Sequence, residues 1–163
     1  MEQVEIQLVS GLTADTPLLI DQDVKSIRSL YLQAKPSPTY AFGDDANIVD
    51  SHIQGIPKEI YVNDLYDISF SNGFHMTCTP TTLIFTGNEF KPVCNMVRDE
   101  QILGAMYKDQ GSLSLEWFIV DHVSKSYKML SEPVYYFISE HSNILLPNYS
   151  PDNNTLSFIC VHQ

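Results

Sequence analysis

Residues 73–87 read GFHMTCTPTTLIFTG, with two short β-prone pieces on either side of a polar turn. Large and small side chains alternate over 74–78, and residues 83–85 form a short apolar run. Thr, Ile and Phe favour a pleated, half-buried surface. Pro80 has no backbone N–H to donate, so it belongs at a bend or a strand edge. The stretch therefore predicts a strand, a turn and a second strand.

The chain has the length and composition of one folded domain. Its 163 residues fall in the usual range for a single core, and 44% of them are hydrophobic. Nine basic residues against 20 acidic ones give a net charge of −11. Because phosphate backbones and anionic lipids attract basic patches, we expect neither nucleic acid nor a membrane as a partner.

Cysteine and histidine usage excludes several kinds of site. Cys78, Cys94 and Cys160 are too few for a disulfide framework and form no Cys-x-x-Cys pair, which indicates a reducing, cytoplasmic location. We expect them to be small core side chains. Residues 1–6 lack a basic region followed by an apolar one, so no signal peptide is predicted. The five histidines are scattered, so we expect no metal and no cofactor.

Many short runs along the chain have strand periodicity, which predicts an all-β fold. The predicted strands cover 2–9, 18–20, 47–53, 58–63, 65–70, 74–79, 83–86, 115–123, 127–130, 134–138, 144–146 and 156–161. Asn72-Gly73 predicts a two-residue hairpin turn. Residues 21–30 are the best helix candidate, with Asp23 as its cap. Loops are predicted over 35–45, 108–112 and 147–154, and a short helix or loop over 95–104.

Taken together, several segments resemble the sequence blocks of inteins and hedgehog-type autoprocessing domains, which share the Hint fold. Gly11–Ile20, with Asp15-Thr16, resembles the N-terminal block, and Thr77–Thr86 resembles the T-x-x-H block. The remaining similar segments are Gly87–Val93, Glu132–Phe137 with His141, and Ile159–Gln163. Each motif alone is short, and the resemblance rests on their order and spacing over residues 11–163.

The resemblance implies an all-β, pseudo-twofold Hint horseshoe with little helix and with both termini near its centre. Residues 1–10 would be an upstream flank, and residues 11–163 a single mini-intein domain. Too few residues separate the N-terminal and C-terminal blocks to hold an endonuclease domain. The loop over 108–112 would then be the natural insertion site. The implied partners are the flanking extein segments of its own precursor, and we expect a monomer.

The family's chemistry is single-turnover, autocatalytic protein splicing. A Cys or Ser at the position of Gly11 attacks the preceding carbonyl carbon. Residues at the positions of Thr79 and Thr82 polarise that peptide bond and protonate its nitrogen. At the other end, His162 would assist cyclisation of the terminal residue Gln163, with His141 nearby. These positions are the candidate catalytic residues.

The chain departs from the family pattern at four places. Gly11 replaces the nucleophile and has no side chain to attack with, while Ser10 is out of register by one. Thr82 replaces a histidine, and a hydroxyl does not titrate near neutral pH. Tyr136 replaces an aspartate, and Gln163 replaces an asparagine. We therefore expect the N-terminal step to be inactive.

A rival interpretation explains the same residues without catalysis. Thr79 before Pro80 is an ordinary turn residue, His141 fits a surface loop, and His162 fits a solvated chain end. The chain would then be a non-catalytic β structural or interaction module of viral or phage type. A hydrolase acting on other molecules has no supporting motif.

Overall fold

The computed structural model describes residues 10–31, 36–45, 47–108, 112–150 and 155–162. The side chains of residues 57, 58 and 108 are not part of that description. The predicted strand over 2–9, most of the predicted flank 1–10, and Gln163 lie outside the described residues. In the described part, no helix is long and apolar enough to cross a lipid bilayer.

Strands dominate the described chain, which confirms the all-β prediction. One helix, α1, spans Ile27–Tyr31, and a single 3-10 turn spans Val93–Asn95. The strands are β1 Leu12–Thr13, β2 Pro17–Ile20, β3 Asp23–Ser26, β4 Ser37–Phe42, β5 Ile48–Phe70, β6 His75–Cys78, β7 Leu83–Phe85, β8 Phe90–Pro92, β9 Gln101–Lys108, β10 Ser112–Ser139, β11 Asn143–Ser150 and β12 Thr155–His162.

Two long strands organise the sheet. β5 and β10 each join several strands that the sequence pattern predicted separately, and they pair antiparallel from Val120↔Phe70 to Ser139↔Ile53. Irregular register at several points lets these strands bend rather than stay flat. The first third of β10 pairs instead with β9. β10 therefore connects the half of the sheet that contains β4, β5, β6 and β1 to the half that contains β9, β12, β11, β7 and β8.

The helix predicted over 21–30 is wrong in its first half. Asp21 and Gln22 have φ values of 50° and 69°, and they close a tight hairpin between β2 and β3. Two successive positive φ values are typical of a hairpin turn whose twist matches its strands. The helix begins only at Ile27, and the Ser26 hydroxyl, rather than Asp23, accepts the Ser29 N–H.

Two predicted loops are strands in the structure. β4 lies within the segment 35–45, and β11 continues through Pro147 to Ser150. β4 is the first strand in the sheet order, and β11 pairs with β12 alone among the described strands, so both are edge strands. An edge strand tolerates proline because one side of its backbone has no ladder partner. In β4 and β11, proline is therefore compatible with a strand at the edge of the sheet.

Two turns and one connecting segment join the strands from β5 to β9. The β5–β6 hairpin is confirmed, but its loop has three residues, with Gly73 at φ 89° and the Phe70 N–H donating to the Phe74 carbonyl oxygen. Gly87, at φ 101°, turns the chain between β7 and β8. The helix or loop predicted over 95–104 is a loop over 96–100, between the 3-10 turn and β9; only its last four residues, which belong to β9, contradict the prediction.

The core contains buried side chains from both halves of the sheet. Its largest fully buried side chains include Tyr135, Phe70, Phe74, Phe158 and Leu12. Leu12 follows Gly11 directly and pairs with Cys78 of β6 and Tyr135 of β10. β1 is therefore inserted between two strands in the centre of the sheet.

Candidate functional site

The Gly11 backbone is held by Thr79. The Gly11 N–H donates to the Thr79 hydroxyl oxygen at 2.9 Å, and the Thr79 N–H donates to the Gly11 carbonyl oxygen at 3.0 Å. Thr79 is 1% exposed, so these bonds are shielded from water. The nitrogen concerned belongs to the Ser10–Gly11 peptide bond, which the resemblance to inteins places at the N-terminal junction. The structure thus brings Thr79 to that bond.

Thr82 completes a relay of hydroxyl groups at the same place. Its hydroxyl donates to the Gly11 carbonyl oxygen at 3.3 Å and lies 2.9 Å from the Thr79 hydroxyl oxygen. The Thr79 and Thr82 hydroxyl groups share one hydrogen bond, in which either oxygen can be the donor. The pair positions the backbone, but neither hydroxyl group titrates near neutral pH.

Ser10 and Thr81 extend the network on the upstream side. Their hydroxyl oxygens lie 2.9 Å apart, and Thr81 also lies 3.4 Å from the Thr79 hydroxyl oxygen. The sequence pattern did not assign a role to Thr81. Its signal was the density of hydroxyl residues in Thr79-Pro80-Thr81-Thr82. Four hydroxyl groups, of which that of Thr79 contacts the Ser10–Gly11 peptide nitrogen, are therefore linked beside Gly11.

The C-terminal candidate His162 reaches the same region along β7. It pairs in register with Leu83, the residue after Thr82, and on its other side with Asn143. Its ring packs on Phe90 with a centroid distance of 5.1 Å, and its buried Nδ1 finds no hydrogen-bond partner among the described residues. Burial lowers the pKa of His162 below its ordinary value of 6.5. Its imidazole is therefore neutral at neutral pH.

An open cleft of about 740 Å³ lies beside His162. Its lining includes Phe42, Asp44, Glu140, His141, Asn143 and His162. The two candidate histidines therefore share one cleft, although the His141 Nδ1 atom is engaged 3.1 Å from the Ser51 hydroxyl oxygen. His141 is half-buried in a turn, which agrees with both its catalytic and its loop interpretation.

Asn143 is a functional candidate that the sequence pattern missed. Its side-chain oxygen accepts the Phe42 N–H at 2.8 Å and the Cys160 thiol at 3.3 Å. Its side-chain nitrogen donates to the Phe42 carbonyl oxygen at 2.9 Å and to the His141 carbonyl oxygen at 3.1 Å. One buried amide thus joins β4, the His141 turn and β12. Its position in His141-Ser142-Asn143 gave no sign of these distant partners.

Solved structures of inteins match nearly the whole chain. The DnaB intein from Synechocystis sp. PCC 6803 matches with a TM-score of 0.70 and 14% identity, over 94% of this chain and 98% of that one. A bacterial intein-like domain from Clostridium thermocellum matches with a TM-score of 0.68 and 10% identity, over 96% and 100%. The TvoVMA intein matches with a TM-score of 0.72 and 15% identity, over 94% and 98%.

The chain has the Hint fold of inteins. No family model and no curated protein sequence matches it. Because the identities are this low, the match establishes the fold, and the chemistry of the Hint site must be argued from the residues that this chain carries.

Tyr136 is a further departure from the family pattern that lies within the described residues. Tyr136 lies half-buried on β10, in register with residue 58 of β5.

Burial raises the pKa of Cys78 to about 12 despite a hydrogen bond from Thr82, and burial raises the pKa of Cys160 as well. Both thiols stay protonated and unreactive, as predicted for core residues. Cys94 is exposed, so the prediction that it is a core side chain is wrong.

Proposed function

We propose that residues 11–163 form an intein-like autoprocessing domain, with residues 1–10 as the upstream flank of the same precursor. The observation that supports this most strongly is the Gly11 backbone, whose N–H donates to the Thr79 hydroxyl and whose carbonyl oxygen accepts from the Thr82 hydroxyl. These are the positions at which the family's sequence blocks place the groups that act on the N-terminal bond. The flanking segments of the precursor are its partners, and a monomer in the cytoplasm stays our prediction.

At the N-terminal bond, the proposed domain lacks an acyl shift. Such a shift needs a side-chain oxygen or sulfur on the residue after the scissile carbonyl, and Gly11 has neither. The Thr79 hydroxyl accepts a hydrogen bond from the departing nitrogen instead of giving it a proton. Thr79 therefore holds the Ser10–Gly11 peptide by a hydrogen bond, and the peptide bond is not cleaved.

At the C-terminal bond, the chemistry remains available. The side-chain nitrogen of Gln163 attacks the backbone carbonyl carbon of Gln163, and a six-membered glutarimide forms. The peptide bond to the next residue breaks, and its nitrogen leaves as an amine that carries the proton given up by the amide. His162 transfers that proton, because a neutral imidazole both accepts and donates one. Compared with asparagine, the extra torsion of glutamine costs about 0.5–1 kcal/mol to order, so the reaction is slow.

The test is a fusion protein with a reporter directly after Gln163. We expect slow release of the reporter, and loss of that release in both His162→Ala and Gln163→Ala. Mass spectrometry separates the proposed reaction from contaminating proteolysis, since the glutarimide product is lighter than the free acid by one water molecule. A folded fusion that releases nothing, or releases only the free acid, would contradict the proposal.

A non-catalytic interaction module is the second candidate, and one surface favours it. The register of β5 and β10 slips between Tyr127 and Glu132, and the bulge that results exposes Met129 to 91% and Leu130 to 86%. Large apolar side chains this exposed often mark a binding surface. If the fusion is inert, binding through this bulge becomes the favoured function.

A further inference from the structure

Gly11 lies where the structure has no space for a side chain. A Cβ atom built on Gly11 would lie 2.8 Å from both Cβ and Cγ2 of Val134, and 3.3 Å from the Tyr135 backbone nitrogen. Carbon atoms in packed cores lie about 3.5–4.0 Å apart, so this contact is a clash. Any residue other than glycine at this position must displace β10 or β1.

The backbone conformation does not explain the glycine. Among the described glycines only Gly73 and Gly87 have positive φ, so Gly11 has a conformation that other residues adopt without strain. What excludes a side chain at Gly11 is the space that Val134 occupies. The cause is packing from a strand far away in the sequence.

Val134 has little freedom to give way. It is 1% exposed and pairs in register with Thr13 of β1 on one side and Ile60 of β5 on the other. One of its two closest atoms is Cβ, which moves only with the backbone, and a valine side chain has few rotamers to choose from. Relief of the clash therefore requires movement of a strand that is held on both sides.

We infer that Val134 occupies the volume of the nucleophilic side chain, so that this Hint domain is built around glycine at position 11. Its N-terminal bond is protected twice: chemically, because Gly11 has no nucleophile, and sterically, because Val134 closes the space for one. One part of this inference rests on the proposed function, namely that a nucleophilic side chain would occupy the volume beside Gly11. The packing relation between Gly11 and Val134 stands without it. A consequence is that Gly11→Cys alone does not restore an N-terminal step.

The first test is a double-mutant cycle on stability, with Gly11→Ala, Val134→Gly and both together. We expect Gly11→Ala alone to raise the unfolding equilibrium constant roughly ten- to hundredfold, as overpacking of a filled core does. In the Val134→Gly background the same change should have an effect of at most a few fold. Purely additive effects would overturn the inference, since residues that do not contact each other add.

A matched control is present in the chain. Gly55 also lies in a strand, but a Cβ built on it meets nothing within 4 Å. Gly55→Ala should leave the unfolding equilibrium almost unchanged. If Val134→Gly fails to fold, Val134→Ala removes Cγ2 and should relieve part of the penalty. If Gly11→Ala is as mild as Gly55→Ala, the inference fails whatever the Val134 variants do.

The second test asks whether removal of the Val134 side chain allows an acyl shift at residue 11. In Gly11→Cys/Val134→Gly, the introduced sulfur attacks the Ser10 carbonyl carbon, the Ser10–residue 11 C–N bond breaks, and the nitrogen takes the thiol proton. Added dithiothreitol then exchanges with the thioester and releases residues 1–10. Thiol-dependent release from the double variant, but not from Gly11→Cys, supports the inference, and equal release from both contradicts it. Without release from either, the stability cycle still decides the packing inference, and only the proposed N-terminal chemistry fails.

Discussion

At the residue scale, His162 makes the stability of the domain depend on pH. Burial lowers its pKa below 6.5 in the folded state, so the unfolded chain binds more protons in the range just below that value. The contribution of His162 to the free energy of unfolding should therefore be fully present above about pH 7. It should decrease as the pH falls through 6.5 toward the folded pKa. Asp44, Glu140 and His141 are the other titratable groups that line the same cleft.

This prediction is checked by urea unfolding of the parent chain and of His162→Gln at about pH 7.5 and about pH 5.5. The parent should lose more stability on acidification than the variant does. Equal losses would show that other groups carry the pH dependence. Reporter release from the Gln163 fusion should weaken over the same range, because a protonated imidazole cannot accept a proton.

At the element scale, the hydrogen bonds of Asn143 hold the walls of the C-terminal cleft together. Asn143→Asp keeps the acceptor for the Phe42 N–H but loses both donors, and Asn143→Ala loses every bond. Each buried group left unpaired costs about 1–3 kcal/mol. Both variants should be clearly less stable than the parent.

Hydrogen exchange separates the two Asn143 variants. The Phe42 amide should stay protected in Asn143→Asp and exchange rapidly in Asn143→Ala, since only the first retains an oxygen acceptor beside it. Equal protection in the two variants would mean that β4 is held by its pairing with β5 alone. Slower reporter release from both variants would show that the hydrogen bonds of Asn143 support the reaction at the C-terminal bond.

At the scale of the whole molecule, the β9–β10 hairpin is the place where the chain should tolerate insertion. The two strands pair up to Lys108↔Ser112, which is the last described pair before residues 109–111. A flexible insert of about ten residues at Gly111 adds only the slowly growing entropy of a longer loop, on the order of 1 kcal/mol. The melting temperature should fall by no more than several degrees, and a cooperative transition should remain.

The matched control for this insertion is the same insert at Gly104. Gly104 lies within β9, where an added Cβ would approach the Phe158 carbonyl oxygen to 2.2 Å. That insertion should abolish the cooperative transition. Similar losses at the two positions would contradict the prediction that 108–112 is a natural break in the domain.

The sequence by itself determined the all-β class and the meeting of distant blocks. Alternation of side chains predicted most strands, because the two faces of a pleated strand record burial directly. The order of the blocks predicted that Thr79 and Gly11 belong to one site, and the structure places them in contact. The helix predicted over 21–30 failed because a hairpin closed by Asp21 and Gln22 uses positive φ without glycine, which no composition signal shows.

Only the tertiary structure decided which residues fill the space around the site. The proline-containing strands β4 and β11 are tolerated because they lie at sheet edges, and edge position is a property of the sheet, not of a local stretch. The contacts of Asn143 with Phe42 and of Val134 with the space beside Gly11 join segments far apart in the chain. Local patterns carry periodicity and chemistry, but packing volume is set by the strands that the fold brings together. For that reason the sequence showed that Gly11 lacks a nucleophile, while only the structure showed that Val134 leaves no space for one.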